Sequence, residues 1–285
     1  TNRFVSVDLG ERSTPLRTRC VRFLADGQRL ITGSSDGRIR LVDALGGSVL
    51  GAVQVDPSEI FSLVVSRNES TVISGNASGE IAVWELPSLR PVARWSKVDR
   101  RVEGLDISPD GSVVASSGLT QAIGLWRADS GEFLGRLDTL AVAWGVAFSP
   151  DGATLLASTN DGAVEVFDMA TRARRAIIRG HNRIVTGLCF SPDGRLFATG
   201  SEDGRVKLWE TASLRNLLLL EPRGSEIVGM QFDPTGRYLA AACAGRMTAL
   251  YDLEALKRTI DGNVEFQRRR LQPEPATDAN PARQQ

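Results

Sequence analysis

His181 is the only histidine in the chain, and as a general base or metal ligand it would need partner side chains at ligand spacing. The cysteines do not supply them. Cys20, Cys189 and Cys243 lie far apart in apolar runs, with neither a CxxC pair nor a disulfide framework, and read as small core residues. Gly33-Ser34-Ser35-Asp36-Gly37 has the spacing of a nucleophile elbow centred on Ser35. That device needs a helix after it, whereas Ile39 to Val42 reads as a strand. The Asp-Gly pairs at Asp110, Asp161 and Asp203 each bring one carboxylate, where calcium takes roughly six or more oxygens, so they read as turns. There is no Gly-rich phosphate loop or dinucleotide fingerprint. The residue types name no catalytic group, no cofactor and no metal.

What they do mark is a period. Leu24-Ala-Asp-Gly27, Ser66-Arg-Asn-Glu69, Ser108-Pro-Asp-Gly111, Ser149-Pro-Asp-Gly152, Ser191-Pro-Asp-Gly194 and Asp233-Pro-Thr-Gly236 start 42, 42, 41, 42 and 42 residues apart. Val42, Trp84, Trp126, Phe167, Trp209 and Tyr251 keep the same beat, each after an aliphatic residue. Within each copy apolar residues alternate in short runs broken by Gly and Asp, and no segment carries a helical stripe. In the fifth copy Ile184 to Ser191, Leu196 to Gly200, Val206 to Trp209 and Leu217 to Leu220 read as four strands. Four antiparallel strands on a period near 42 predict one blade of a β-propeller per copy. Trp84, Trp126 and Trp209 fall in register as packing between blades, while Trp95 and Trp144 fall outside it.

The fifth copy also carries Gly180-His181, Phe190-Ser-Pro-Asp-Gly194, Ala198-Thr-Gly-Ser-Glu-Asp-Gly204 and Val206-Lys-Leu-Trp-Glu210. This resembles the WD-repeat (WD40) family, over roughly residues 16 to 258. The resemblance implies an all-β propeller of six repeats, closed as six blades or belonging to a seven-bladed ring truncated in its first blade. It also implies a buried hydrogen-bonded tetrad, which by offset is His181, Thr199, Asp203 and Trp209. The other copies lack the His, and Asp36, Ser78, Thr120, Asp161 and Gly245 stand at the turn position. Those blades are expected to rest on strand pairing and apolar packing. Residues 1–15 read as an outer strand, Phe4 to Leu9, with its lead-in. Residues 16–260 read as the propeller, with Lys257 to Ile260 able to serve as the last strand, and 261–285 as a disordered tail.

In this family the positions just before each first strand, here Arg17, Glu59, Arg101, Val142, Ile184 and Glu226, resemble a ring around the channel mouth. They are candidates for gripping a peptide that carries an apolar anchor and charges. The resemblance implies a non-catalytic scaffold for proteins or peptides, in many such chains one module of a larger regulatory protein, such as a kinase-linked one. Two rivals remain open. The first is an enzyme or ligand-binding propeller with its site in the central channel. The second is nucleic-acid binding through Arg172, Arg174, Arg175, Arg179 and Arg183. Lys plus Arg equals Asp plus Glu at 34 each, so no global field draws the chain to nucleic acid, and no apolar run is long enough for membrane insertion. The expected location is the cytoplasm.

Overall fold

The computed structural model describes residues 16–96, 101–222, 226–244 and 247–256. The strand Phe4 to Leu9, the turn residue Gly245, the segment Lys257 to Ile260 and the tail from 261 lie outside them. Among the described residues twenty-three strands follow one another, with a single helical turn at 253–256. Blade 1 holds β1 (Thr18–Phe23), β2 (Arg29–Ser34), β3 (Arg38–Asp43) and β4 (Val49–Gln54). Blade 2 holds β5 (Ile60–Val65), β6 (Thr71–Asn76), β7 (Glu80–Glu85) and β8 (Pro91–Ser96). Blade 3 holds β9 (Val102–Ile107), β10 (Val113–Gly118), β11 (Ala122–Arg127) and β12 (Phe133–Asp138). Blade 4 holds β13 (Ala143–Phe148), β14 (Thr154–Thr159), β15 (Ala163–Asp168) and β16 (Ala173–Arg179). Blade 5 holds β17 (Val185–Phe190), β18 (Leu196–Ser201), β19 (Val206–Glu210) and β20 (Asn216–Leu220). Blade 6 holds β21 (Ile227–Phe232), β22 (Tyr238–Cys243) and β23 (Met247–Asp252). Each blade is an antiparallel meander whose strands pair in chain order, and the six are arranged as a β-propeller.

The turns explain the regularity. In blade 5 Ser191 Oγ donates to Asp193 at 2.6 Å and accepts the amide of Leu196 at 3.0 Å, while Asp193 accepts the amide of Arg195 at 3.0 Å. Gly194 closes this turn at φ 70°, which a side chain would strain. The same hydroxyl and carboxylate pattern recurs at Ser108–Asp110 and Ser149–Asp151. These aspartates are therefore occupied with the backbone, as turn chemistry requires.

The core lies between blades. Trp84 packs with Ile31, Ile39 and Leu41 of blade 1, Trp126 with Ile73, Ile81 and Val83 of blade 2, and Trp209 with Leu156, Val164 and Val166 of blade 4. Each indole thus covers the face of the preceding blade, and burying such side chains is worth about 1.5–3 kcal/mol apiece. Trp95 is buried too, its ring 6.3 Å from that of Trp126. Around the axis the innermost strands pack side by side, β1 on β5, β5 on β9, β9 on β13, β13 on β17 and β17 on β21. Among the described residues no comparable packing joins β21 to β1. No helix of the described residues is long and apolar enough to cross a membrane.

Candidate functional site

Every innermost strand begins with the same irregularity. In blade 1 Thr18 faces Ser34 and Cys20 faces Gly33, which leaves Arg19 without a cross-strand partner. The equivalent shifts leave out Phe61, Glu103, Trp144, Thr186 and Val228. A β-bulge turns its extra residue away from the sheet, and here it turns all six into the central channel. They line its mouth half, a space of about 580 Å³. The residue after each bulge is Cys20, Ser62 or a glycine, because neighbouring inner strands crowd there: a Cβ on Gly104 would stand 2.9 Å from the Cα of Gly145.

The six residues expected at the mouth sit two positions earlier, outside the residues that line the channel. The carbonyls of Arg17, Glu59, Val142, Ile184 and Glu226 accept the amides of Ser35, Ala77, Asn160, Glu202 and Ala244, which closes each blade's second turn. The side chains of Glu59 and Arg101 still reach the inner ring. Arg19 pairs with Glu59 at 2.6 Å, Arg101 pairs with Glu103, and both guanidiniums cover Phe61, at 5.0 and 4.3 Å from its centroid. Burial raises the Glu103 carboxyl above its ordinary pKa, against the pull of Arg101. Blades 1 to 3 thus present charge around one phenyl ring. Blades 4 to 6 present Trp144, Thr186 and Val228, which is half-exposed indole, hydroxyl and aliphatic surface. The bulge was readable in principle, since a bulky variable residue followed by a small one recurs at each strand start.

Deeper in the channel, Asp106 accepts the amides of Ile107 at 2.9 Å and Phe148 at 2.6 Å, tying blade 3 to blade 4. Its carboxyl keeps part of its surface open to the channel, and burial pushes its pKa up to about 6. Cys20 and Cys189 also line the channel, and burial pushes their thiols up to about 11 and about 12, so neither is a ready thiolate at neutral pH. Among the described residues no three His, Cys, Asp or Glu side chains gather to hold a metal ion. Ser35 accepts the amide of Arg17 at 3.0 Å within an ordinary hairpin turn, with β3 after it.

His181 lies away from the channel, in blade 5. Its Nε2 stands 2.8 Å from Thr199 Oγ1 and its Nδ1 3.0 Å from Asp203 Oδ2, and Trp209 Nε1 donates to Thr199 Oγ1 at 2.9 Å. The structure therefore brings the four residues named by offset into one chain. Half of that chain recurs elsewhere: Trp84 donates to Ser74 at 3.0 Å and Trp126 to Ser116 at 2.8 Å, so blades 2 and 3 add a polar link to the strand pairing and apolar packing expected to be their main support. Blade 1 substitutes an ion pair, Asp36 with the buried Arg40 at 2.5 Å.

Burial drives the His181 pKa below its ordinary value although Asp203 opposes it. That contribution is full above about pH 6.5 and is lost as pH falls through the lowered folded pKa. Asp106 works the other way, because its pKa is raised: its contribution is present below the ordinary carboxylate pKa and lost as pH rises through about 6. The loss amounts to at most about 3 kcal/mol. Melting temperatures between pH 7.5 and 5 should therefore fall on acidification more steeply in Asp106→Asn than in the parent. They should rise on acidification in His181→Gln. Identical profiles in all three proteins would refute both assignments.

The arginine stretch on blade 4 is largely spoken for. Arg174 pairs with the buried Glu165 at 2.8 Å, Arg179 with Asp161 at 3.3 Å, and Arg183 with Glu226 at 3.1 Å and Glu202 at 3.2 Å. Arg172 donates to the carbonyl of Leu134 at 2.6 Å.

Comparison with known proteins agrees with this architecture. A family model described as "WD domain, G-beta repeat" matches residues 13–43, 133–168 and 173–210. The chain is similar to "Small ribosomal subunit protein RACK1y" of Oryza sativa subsp. japonica, 30% identical over 102 residues, or 36% of this chain and 30% of the relative. It is similar to "Protein groucho" of Drosophila melanogaster, 25% identical over 150 residues, or 52% of this chain and 20% of the relative. "Pre-mRNA-processing factor 19" of Bos taurus is 26% identical over 165 residues, or 57% of this chain and 33% of the relative. The matched stretch thus spans a third or less of each of these curated relatives.

Proposed function

Because the chain is a WD-repeat β-propeller, we propose that it is a non-catalytic scaffold that holds proteins or peptides at the channel mouth, as a module of a larger regulatory protein. The observation that carries this reading is the bulged ring. Six side chains, one per blade, leave the sheet and converge on one opening, charged around Phe61 on one side and apolar around Trp144 and Val228 on the other. An indole beside aliphatic surface is a good anchor pocket, and a rim of paired charges sets orientation more than affinity. The enzymatic alternative has less support, since Glu103 is paired with Arg101 and Asp106 is held by two backbone amides. The short relative coverage suits a module, and three free cysteines suit a cytoplasmic setting.

The reading predicts that a random peptide library displayed on phage and panned on the immobilised chain yields binders with an apolar residue near a charged one. Trp144→Ala and Val228→Glu, each checked for an unchanged melting temperature, should weaken these peptides at least tenfold. Peptides retained equally by both variants would place the binding surface elsewhere and sink the mouth reading.

A further inference from the structure

The outer strands β4, β8, β12, β16 and β20 run along the rim, and each leaves one edge unpaired among the described residues. Such an edge is a template for another strand, and proteins blunt it with charge or proline, or weaken the strand with glycine. β4 is interrupted by Gly51, β8 carries Pro91 and Arg94, β12 carries Gly135 and Arg136, and β16 carries Arg174 and Arg175. β20 has none of these, because Asn216-Leu-Leu-Leu-Leu220 is uncharged from end to end. Leu218 and Leu220 pack against the core between blades 5 and 6, while Leu217 and Leu219 are 39% and 48% exposed. All five outer strands share a bulge near their start, at Leu217 in β20, so residues rather than backbone distinguish this edge.

We infer that β20 pairs with β20 of a second copy of this chain, antiparallel about a two-fold axis between the two Leu218 residues. One sheet then runs across two propellers. The sequence mirrors itself about that point: Leu217 of one copy stands opposite Leu219 of the other, Asn216 opposite Leu220, and Arg215 opposite Glu221. A two-fold axis makes each of these contacts twice. Apolar pairs and opposite charges directly across a ladder stabilise it, and like charges do the reverse.

Both charged partners are available. Arg215 is exposed and has no ion-pair partner among the described residues. Glu221 meets Arg205 at 3.1 Å with its side chain 62% exposed, which leaves acceptor positions for a second guanidinium. The charges also fix the register. Moving the axis one residue back, to Leu217, would set Arg215 opposite Leu219 and Glu221 opposite Ser213. A strand of any other sequence would need no mirror symmetry in the edge that receives it, whereas a base and an acid placed equally far from one leucine complement a strand that meets itself. One pair of edge strands buries less than the roughly 1,200 Å² of a standard interface, so the dimer is a weak and reversible one. The bulged channel ring takes no part in this pairing, so either assignment can fail without the other.

Sedimentation equilibrium of the full chain over a wide concentration range tests the pairing. The parent should show a reversible monomer–dimer equilibrium. Leu219→Lys should weaken it at least roughly tenfold and Arg215→Glu several-fold, because the axis doubles every contact that is lost. The double variant Arg215→Glu, Glu221→Arg should associate nearly as tightly as the parent, since acid and base again face each other across the axis. Melting temperatures measured in dilute solution, where only monomer is present, check that each variant is folded. A parent that stays monomeric throughout would overturn the proposal. So would a dimer that survives Leu219→Lys, which would meet through another face. A double variant no tighter than Arg215→Glu alone would also overturn it, since a segment other than a second β20 gains nothing from the exchange.

Discussion

Replacing Trp209 with alanine should destabilise the fifth blade by about 3–5 kcal/mol. The indole is buried against blade 4, stacks on Phe197 at 6.0 Å with an interplanar angle of 7°, and lies under the ammonium of Lys207 at 5.9 Å. The chain has made room for it: a Cβ on Gly180 would stand 2.7 Å from the far edge of the indole. Truncation would empty that space and remove the donor that fixes Thr199, and through it His181. Trp209→Phe separates the two effects. It keeps most of the packing and loses one hydrogen bond, so it should cost nearer 1 kcal/mol. Hydrogen exchange of the β18 and β19 amides reads the loss where it occurs, which matters in a row of blades whose unfolding need not be all-or-none. An alanine variant no less protected than the phenylalanine one would mean that the indole does not hold the blade.

Asp36→Ala should be comparably severe, at about 3 kcal/mol, for an electrostatic reason. Arg40 is buried and its guanidinium makes two contacts with the Asp36 carboxylate, at 3.2 and 2.5 Å. Removing the acid strands a cation in the sheet, and the cost is the desolvation of an unpaired charge. The double variant Asp36→Ala, Arg40→Met should recover most of the loss, since a chain of similar volume then fills the site without a charge. Urea unfolding of the parent, the single and the double variant measures this directly. A double variant as unstable as the single one would show that the carboxylate matters through its turn, where it accepts the amide of Arg38 at 3.1 Å.

The two predictions also show what the sequence could and could not announce. The blade register was legible, because Ser-Pro-Asp-Gly turns and the Trp positions depend on local chemistry that repeats. The His181, Thr199, Asp203 and Trp209 set was legible for the same reason, as residues at fixed offsets within one blade. The channel ring was displaced by two residues because strand periodicity assumes an unbroken ladder. At Arg19, Phe61, Glu103, Trp144, Thr186 and Val228 the ladder is broken on purpose by a bulge. The Trp84–Ser74 and Trp126–Ser116 bonds were not legible, because a serine within a strand is common and, without a His at the matching offset, nothing along the chain marks it as a partner of the indole. The pairing of the blade 4 arginines could not be read along the chain, because Glu226 reaches Arg183 from 43 residues away.

Among the described residues the first and last blades do not pack on each other, and an open junction of that kind bears on mechanics. A closed hoop widens only if all its joints stretch together, whereas a hoop cut at one point opens by bending a little at each remaining joint. The five packed junctions would then act as stiff springs in series, and the bore of the channel would follow the width of the slit. Whatever wedges or releases the slit would therefore set the spacing between Arg19 on one side and Val228 on the other, the two ends of the ring at which a peptide would be gripped.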